Sequence, residues 1–337
     1  MKLRTKIFVP VTVIILLVGM VSIFFINGNI TSMVDRQVEA AEKNMWASLD
    51  KNAENEIQRI YREIKKFGQK GTAEATLFTS LPEVIAAYQL ALTGNIDDEA
   101  DPIVQKARQE LRDFVKPIMA SYRKDTGLPD LMLHFHLKNN RSLTRVWRDG
   151  WQTTRDGKKI DVSDDLSSFR EMVVAINKGE HKSIHGIEIG RGGFVIRGIT
   201  PIIAPDGQHM GSNEVFFDFN EILNVIKVNP LVNYAVYMDA KFLSIAKALQ
   251  DVSKNPVLEN TFVFTTSTDS AITEPLINAD LLRKGTDAPY SMPLKDHYLT
   301  SFPIKDYSGK NVGVMVVAQN IAKQLKAIAD TRPLAML

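Results

Sequence analysis

At 337 residues, 45% hydrophobic and 24% charged, the chain has an ordinary globular composition with apolar material for more than one core, which excludes a disordered polymer. A net charge of +2, with no long basic run interleaved with aromatics, argues against nucleic-acid binding. The absence of cysteine excludes disulfides, thiolate catalysis, cysteine-ligated zinc and c-type haem attachment, and it suits an oxidising compartment.

From Ile7 to Ile26 the residues are almost wholly apolar, about 20 positions, the length that crosses the hydrocarbon core of a bilayer as a helix. Lys2, Arg4 and Lys6 precede this stretch and favour a cytoplasmic N-terminus, so everything after residue 30 is expected outside. A cleaved signal peptide would need a shorter apolar core and a small-residue cleavage pattern. Asn27-Gly28-Asn29 stands there instead, which favours a retained anchor over residues 1–29.

Apolar residues then recur at helical spacing through Val34, Val38, Ala41 and Met45 and drift onward from Leu49 to Phe67. This predicts a long helix over 30–72, ended by Gly68 to Gly71, with a sticky stripe that serves either intrachain packing or pairing of two copies. Two further helical stretches are predicted over 73–93 and 101–123. Beyond Gly127-Leu128-Pro129 the period changes to two: Leu131, Leu133, Phe135 and Leu137 share one strand face, and Met132, His134 and His136 share the other. Asn139-Asn140 supplies a turn, and Ser142 to Trp147 reads as the return strand. A polar loop from Asp149 to Asp164 leads to a short helix over Leu166 to Asn177, followed by strands near Phe194 to Ile202 and Met210 to Phe219.

The most informative pattern is a repeat. Pro201-Ile202 is followed by Gly207 and Gly211, and Pro303-Ile304 by Gly309 and Gly313 at the same spacing. Each copy lies between two strand-like runs, so each reads as a β-hairpin closed on a glycine turn. Duplication accounts for both, with the second module starting near Asn233.

Taken with Leu133-His134-Phe135-His136, Ser142 to Trp147, Asp164 to Arg170 and Gly186-Ile187-Glu188, this arrangement resembles the double-Cache sensory regions of methyl-accepting chemotaxis proteins and sensor kinases. The resemblance implies an α+β protein: a transmembrane anchor, a long helix, then two PAS-like modules with antiparallel sheets. It places a membrane-distal, ligand-binding module at 73–228, a membrane-proximal module at 229–325 and a tail at 326–337. It also places the pocket within 73–225 and makes the long helix the carrier of the signal. Asn320 to Leu337, with Lys323, Lys326, Asp330 and Arg332, does not read as a second span, so the chain is expected to be part of a longer receptor or a stand-alone anchored binder.

Within that frame the candidate ligand-binding residues are His134, His136, Arg145, Trp147, Arg148, Arg170, Arg197 and Glu214. His134 and His136 share a strand face and can meet one ligand; a metal site would need a third donor, and the other histidines are scattered. Arg145 beside Trp147 reads as an anion anchor, a guanidinium over an indole, or as an arginine stem packed on a tryptophan. Asp164-Asp165 reads first as a cap on the helix after it. Glu214, mid-strand among apolar neighbours, requires a partner or a wet pocket. Arg197 is that partner, or the two hold opposite ends of a zwitterion. Gly190-Arg191-Gly192-Gly193 lacks the spacing of a phosphate loop and reads as a turn, and neither a Gly-x-Ser-x-Gly elbow nor a His-Glu-x-x-His helix is present.

The expected protein is therefore a single-pass membrane sensor without enzymatic activity, cofactor or resident metal. It binds a small polar or anionic metabolite such as an organic or amino acid, its bulk is periplasmic or extracellular, and it pairs as a homodimer through the long helix. A sensor-kinase input region, a stand-alone binder and a metal-dependent periplasmic enzyme are the alternatives.

Overall fold

The computed structural model describes residues 3–331, with side chains from Val11 onward except those of Asn27 and Thr331. Lys2 and the tail from Arg332 on lie outside the described residues, as do the side chains of Arg4 and Lys6.

Helix α1 runs without interruption over Leu3–Thr76. Among the described residues it is the one helix long and apolar enough to cross a membrane, with a mean hydropathy of 2.5 in its most apolar window and none of that window buried. The expected stop at Gly68 to Gly71 is wrong. A β-carbon on Gly71 would lie 2.7 Å from the Val215 carbonyl oxygen, and one on Gly198 would lie 1.9 Å from the Thr72 nitrogen. These glycines let helix and sheet backbones touch, and the helix pays only the modest entropic cost of glycine.

Helices α2 (Pro82–Thr93) and α3 (Pro102–Thr126) follow. Local sequence sets the ends of α3. Asp101 accepts from the amides of Ile103 and Val104, Pro102 needs no amide partner, and Gly127 closes the helix at φ 69°. The chain continues through β1 (Met132–Leu137), β2 (Ser142–Arg145), a small ribbon of β3 (Thr153–Arg155) and β4 (Lys158–Ile160), and α4 (Glu171–Lys178). Then come β5 (Ile184–Gly190), β6 (Gly193–Ile203), β7 (His209–Asp218) and α5 (Phe219–Ile226). The rest comprises β8 (Val232–Asp239), β9 (Val257–Leu258), β10 (Phe262–Ser267), α6 (Ser270–Thr273), α7 (Ala279–Lys284), β11 (Tyr290–Leu294), β12 (His297–Lys305), β13 (Asn311–Asn320) and α8 (Ala322–Thr331).

The return strand is shorter than expected, ending at Arg145, so Trp147 lies in the turn beyond it. The short helix starts at Glu171 rather than Leu166. The loop after Asp149 contains the β3–β4 ribbon, and β5, not anticipated, precedes the turn at Gly190 to Gly193.

One sheet has the order β5-β6-β7-β1-β2 and the other β11-β12-β13-β8-β10-β9. In each, the first strand lies beside the last strand of the same set, and the last two strands form the hairpin seen as a sequence repeat. The turns match in detail. In the first, the amides of Ala204 and Gly207 donate to the carbonyls of Gln208 and Ala204 at 2.9 and 2.8 Å; in the second, those of Asp306 and Gly309 donate to Lys310 and Asp306 at 2.9 and 3.0 Å. Gly207 and Gly309 both need positive φ, 88° and 87°. The fold is thus the expected α+β duplication.

By packing, the chain divides into two compact units. One gathers α1 up to Asn55 with Met292–Tyr298 and the described residues from Gln319 on. Its core is Leu49, Ala53, Tyr298 and Ile321, with the Trp46 ring 5.9 Å from that of Tyr298. The other comprises Glu56–Ser291 and Leu299–Ala318. In it, Leu133, Phe135, Val215 and Phe217 of the first sheet pack against Tyr88, Leu111 and Val115 of α2 and α3. A second cluster joins Ile187 and Ile196 to Val236, Phe302 and Met315. The helices cover one face of the first sheet, and the opposite face carries the polar groups described next.

Candidate functional site

Strand register builds the site. Antiparallel pairing of β1 with β7 sets His134 opposite Glu214, His136 opposite Ser212 and Met132 opposite Phe216. On the other side β2 places Arg145 beside His134 and, past an irregularity at Phe135/His136, Ser142 beside His136. Pairing of β6 with β7 sets Arg197 opposite Phe216. Because side chains alternate along a strand, these groups share one face, the one away from α2 and α3.

At its centre is a buried charge quartet. Glu214, fully inaccessible, accepts from Arg170 Nη2 at 2.5 Å and from Arg197 Nη1 at 3.1 Å. Glu188 accepts from Arg170 Nε at 2.6 Å and from the Met172 amide at 2.7 Å. Arg197 Nε lies 3.0 Å from Glu188, a charge contact whose direction leaves that N–H without a hydrogen-bond acceptor. Two cations balance two anions, which is how charges of this kind are tolerated away from water. Burial pushes the Glu214 carboxyl up, but the guanidiniums of Arg170 and Arg197 overcome it and hold the group well below the usual carboxylate range. Burial, with His136 beside it, keeps His134 well below the ordinary imidazole value. Burial likewise lowers His136 to about 4 against the pull of Glu214. Both imidazoles are therefore neutral at pH 7.

Two of the sequence expectations need correction. Arg145 is not poised over Trp147 for an incoming anion: its Nη1 and Nη2 donate to both oxygens of Asp164 at 2.6 and 3.0 Å, and Nη1 also donates to the Gln152 carbonyl at 2.8 Å. Asp164 therefore does not cap the following helix, since it is committed to this bidentate pair, and Asp165 instead accepts from the Ser167 amide at 2.9 Å in a local turn. The guanidinium that does stack on indoles is that of Arg148, 5.7 Å from the Trp147 ring and 4.4 Å from that of Trp151. Burial, and then Arg145 nearby, lowers Arg148 to about 10, and no carboxylate of the described residues lies within ion-pair distance of it.

These elements line a partly open cavity of about 500 Å³, within the range of small-molecule sites. His134, Arg145, Trp147 and Arg148 line it, as do Arg170, Arg197 and Glu214. His136 is not on its wall; it stands behind His134 with ring centroids 4.1 Å apart. Trp147 and Phe216 meet edge to face at 5.1 Å and form an apolar flank. Arg191, its guanidinium 4.8 Å from the Phe169 ring and 3.8 Å from Asp164, faces the same space.

Three residues of this candidate site lay outside the sequence-based candidate set: Arg191 on the cavity wall, and Glu188 and Asp164, which hold the wall's arginines. Glu188, between Ile187 and Ile189, is a lone carboxylate within a strand, as Glu214 is between Asn213 and Val215. Arg191 was legible only as part of a glycine-rich turn, which it is, between β5 and β6. Arg170 was identified, but its engagement with two carboxylates at once depends on the loop that carries it.

No curated protein matches the chain. Among solved structures it is similar to the sensor domain of the Vibrio cholerae histidine kinase DctB, at 11% identity over 82% of this chain and 98% of that one, TM-score 0.42. It is also similar to the periplasmic domain of V. cholerae LuxQ, at 12% identity over 73% and 95%, TM-score 0.35. A third is the ligand-binding domain of the Pseudomonas aeruginosa amino acid chemoreceptor PctB in complex with L-Arg, at 12% identity over 81% and 92%, TM-score 0.34. Residues 47–325 match the family model described as the double sensory domain of two-component sensor kinases. The chain therefore belongs to the double-Cache family of extracytoplasmic sensory domains.

Proposed function

We propose that this protein is the ligand-sensing stage of a single-pass membrane receptor of the chemoreceptor or sensor-kinase type. Its first-sheet module, residues 73–228, binds a small anionic or zwitterionic metabolite, and the second module, residues 229–325, lies nearer the membrane. The observation that carries this reading is the inequality among the cavity's guanidiniums. Arg145, Arg170 and Arg197 are neutralised by Asp164, Glu188 and Glu214, whereas Arg148 lies on indole faces and donates to the Gln152 carbonyl, and Arg191 donates to Thr153 Oγ1 at 2.8 Å; among the described carboxylates Arg148 has no ion-pair partner and Arg191 meets the already gripped Asp164 at 3.8 Å. A carboxylate entering the cavity meets Arg148 and Arg191 and rests its apolar part on Trp147 and Phe216. The ligand shifts a standing balance between arrangements of the module, α1 carries the shift, and two copies pair through the apolar stripe that follows the span.

A thermal-shift panel of organic acids and amino acids on the full chain in detergent tests this. At about 100 times Kd a true ligand stabilises by about 2.7 kcal/mol, a clear rise in Tm. Arg148→Ala and Arg191→Ala each weaken the response without lowering the unliganded Tm. A wild type that answers to no compound, or a double variant that keeps full affinity, overturns the assignment.

A further inference from the structure

Behind the cavity wall, three donor atoms converge. His134 Nδ1 lies 3.0 Å from His136 Nε2 and 3.1 Å from Glu214 Oε1, and His136 Nε2 lies 3.5 Å from that oxygen. Ligands at about 2.0–2.1 Å around a tetrahedral cation stand about 3.3–3.4 Å apart, so these distances fit the edges of one coordination face. All three residues are buried.

The hydroxyls beside the two rings allow tautomers that turn lone pairs toward a cation. The Gln152 side-chain oxygen accepts from the Arg145 amide at 2.8 Å and from the Ser142 hydroxyl at 3.1 Å, so Ser142 Oγ, 2.8 Å from His134 Nε2, is left to accept. The His134 proton then sits on Nε2, and Nδ1 presents a lone pair directly at the Glu214 carboxylate. Ser212 Oγ, 3.1 Å from His136 Nδ1, can accept that ring's proton in turn, freeing Nε2 as a third lone pair. Each histidine thus has a hydroxyl on its outer nitrogen, the arrangement that fixes metal-binding tautomers.

We propose that His134 Nδ1, His136 Nε2 and Glu214 Oε1 bind one first-row divalent cation of the zinc type. Two imidazoles and one carboxylate oxygen are a known zinc donor set that leaves a fourth position open. His134 and Glu214 also line the cavity, so the ion is reached from it. Arg197 Nη1 shares the same Glu214 oxygen at 3.1 Å, and Arg197 keeps a carboxylate through Glu188 when that oxygen turns to a metal. The Arg170, Arg197, Glu188 and Glu214 quartet is already neutral, so the added double charge draws an anion to the open position.

The test is calorimetric titration of Zn²⁺ into the full, untagged chain in detergent after chelator washing. One equivalent binds to the wild type, His134→Gln and His136→Gln each abolish it, Ser212→Ala weakens it about 10- to 100-fold, and His181→Gln leaves it unchanged. No stoichiometric binding to the wild type, or undiminished binding to both His134→Gln and His136→Gln, overturns the proposal. Zinc-edge X-ray absorption on the wild type stands independent of variant folding: a shell with two imidazoles and a carboxylate oxygen supports the site, and any other protein shell overturns it.

Discussion

Arg145 and Arg148 stand three positions apart on the same segment, yet the fold uses them differently. Arg145 and Asp164 form a bidentate pair with side-chain exposures of 8% and 5%, so removing one partner leaves an uncompensated charge. Arg145→Ala is expected to lower unfolding free energy by about 3–5 kcal/mol, measured by denaturant titration. Arg148→Ala, which breaks no ion pair, should unfold close to the wild-type midpoint and act on ligand affinity instead. From the sequence Arg145 beside Trp147 was the preferred anion anchor and Arg148 a residue at the strand edge; the structure reverses their roles because Arg145 meets a carboxylate 19 residues away in a loop, and spacing rules say nothing about such a meeting. Another residue with a readable charge state is His209, stacked on His181 at a centroid distance of 3.8 Å. Burial, then the neighbouring His181, lowers His209 to about 4. A base whose folded pKa is depressed takes up more protons when unfolded, so its contribution to stability is present above about 6.5 and is lost as pH falls toward 4. The Tm of His209→Gln should therefore fall less than that of wild type between pH 6.5 and 4; parallel curves for the two proteins would refute this.

At the scale of elements, periodicity located the long helix, α2 and α3, and the repeat located both hairpins, whereas α5 to α8 were not anticipated; the misread glycines are residues that serve tertiary contact rather than local structure. Gly68 and Gly71 looked like a helix end because glycine is a common terminator, but here they admit a strand backbone against the helix. Gly198→Ala places a β-carbon 1.9 Å from the Thr72 nitrogen, so it should cost about 1–3 kcal/mol or more as overpacking, seen as a lower urea midpoint with an unchanged slope. The turn glycines give a matched pair. Gly207→Ala and Gly309→Ala force alanine into φ near 88° and 87°, and each should lose about 1–2 kcal/mol. Markedly unequal losses would argue that the two turns are not equivalent. The missed strand β5 follows from its sequence, Ile184 to Gly190, where glycines interrupt the alternation that would reveal it.

For the molecule as a whole, the duplicated hairpin was the strongest signal, since a turn sequence reports its own geometry, and the shared strand order of the two sheets extends that duplication beyond the matched residues. The strand-borne part of the candidate site, His134, His136, Arg197 and Glu214, was legible as one sheet face, while the circuit of partners was illegible because it needed β5, Asp164 and Gln152 to be placed. The central claim is that ligand is held against the first sheet. Amide hydrogen exchange on the full chain, with and without a compound that raises its Tm, tests this most directly. Protection should concentrate in β1, β7 and the segments around Arg148, Phe169 and Arg191 that line the cavity. Protection confined to β8, β12 and β13, with the first sheet unchanged, would contradict the account.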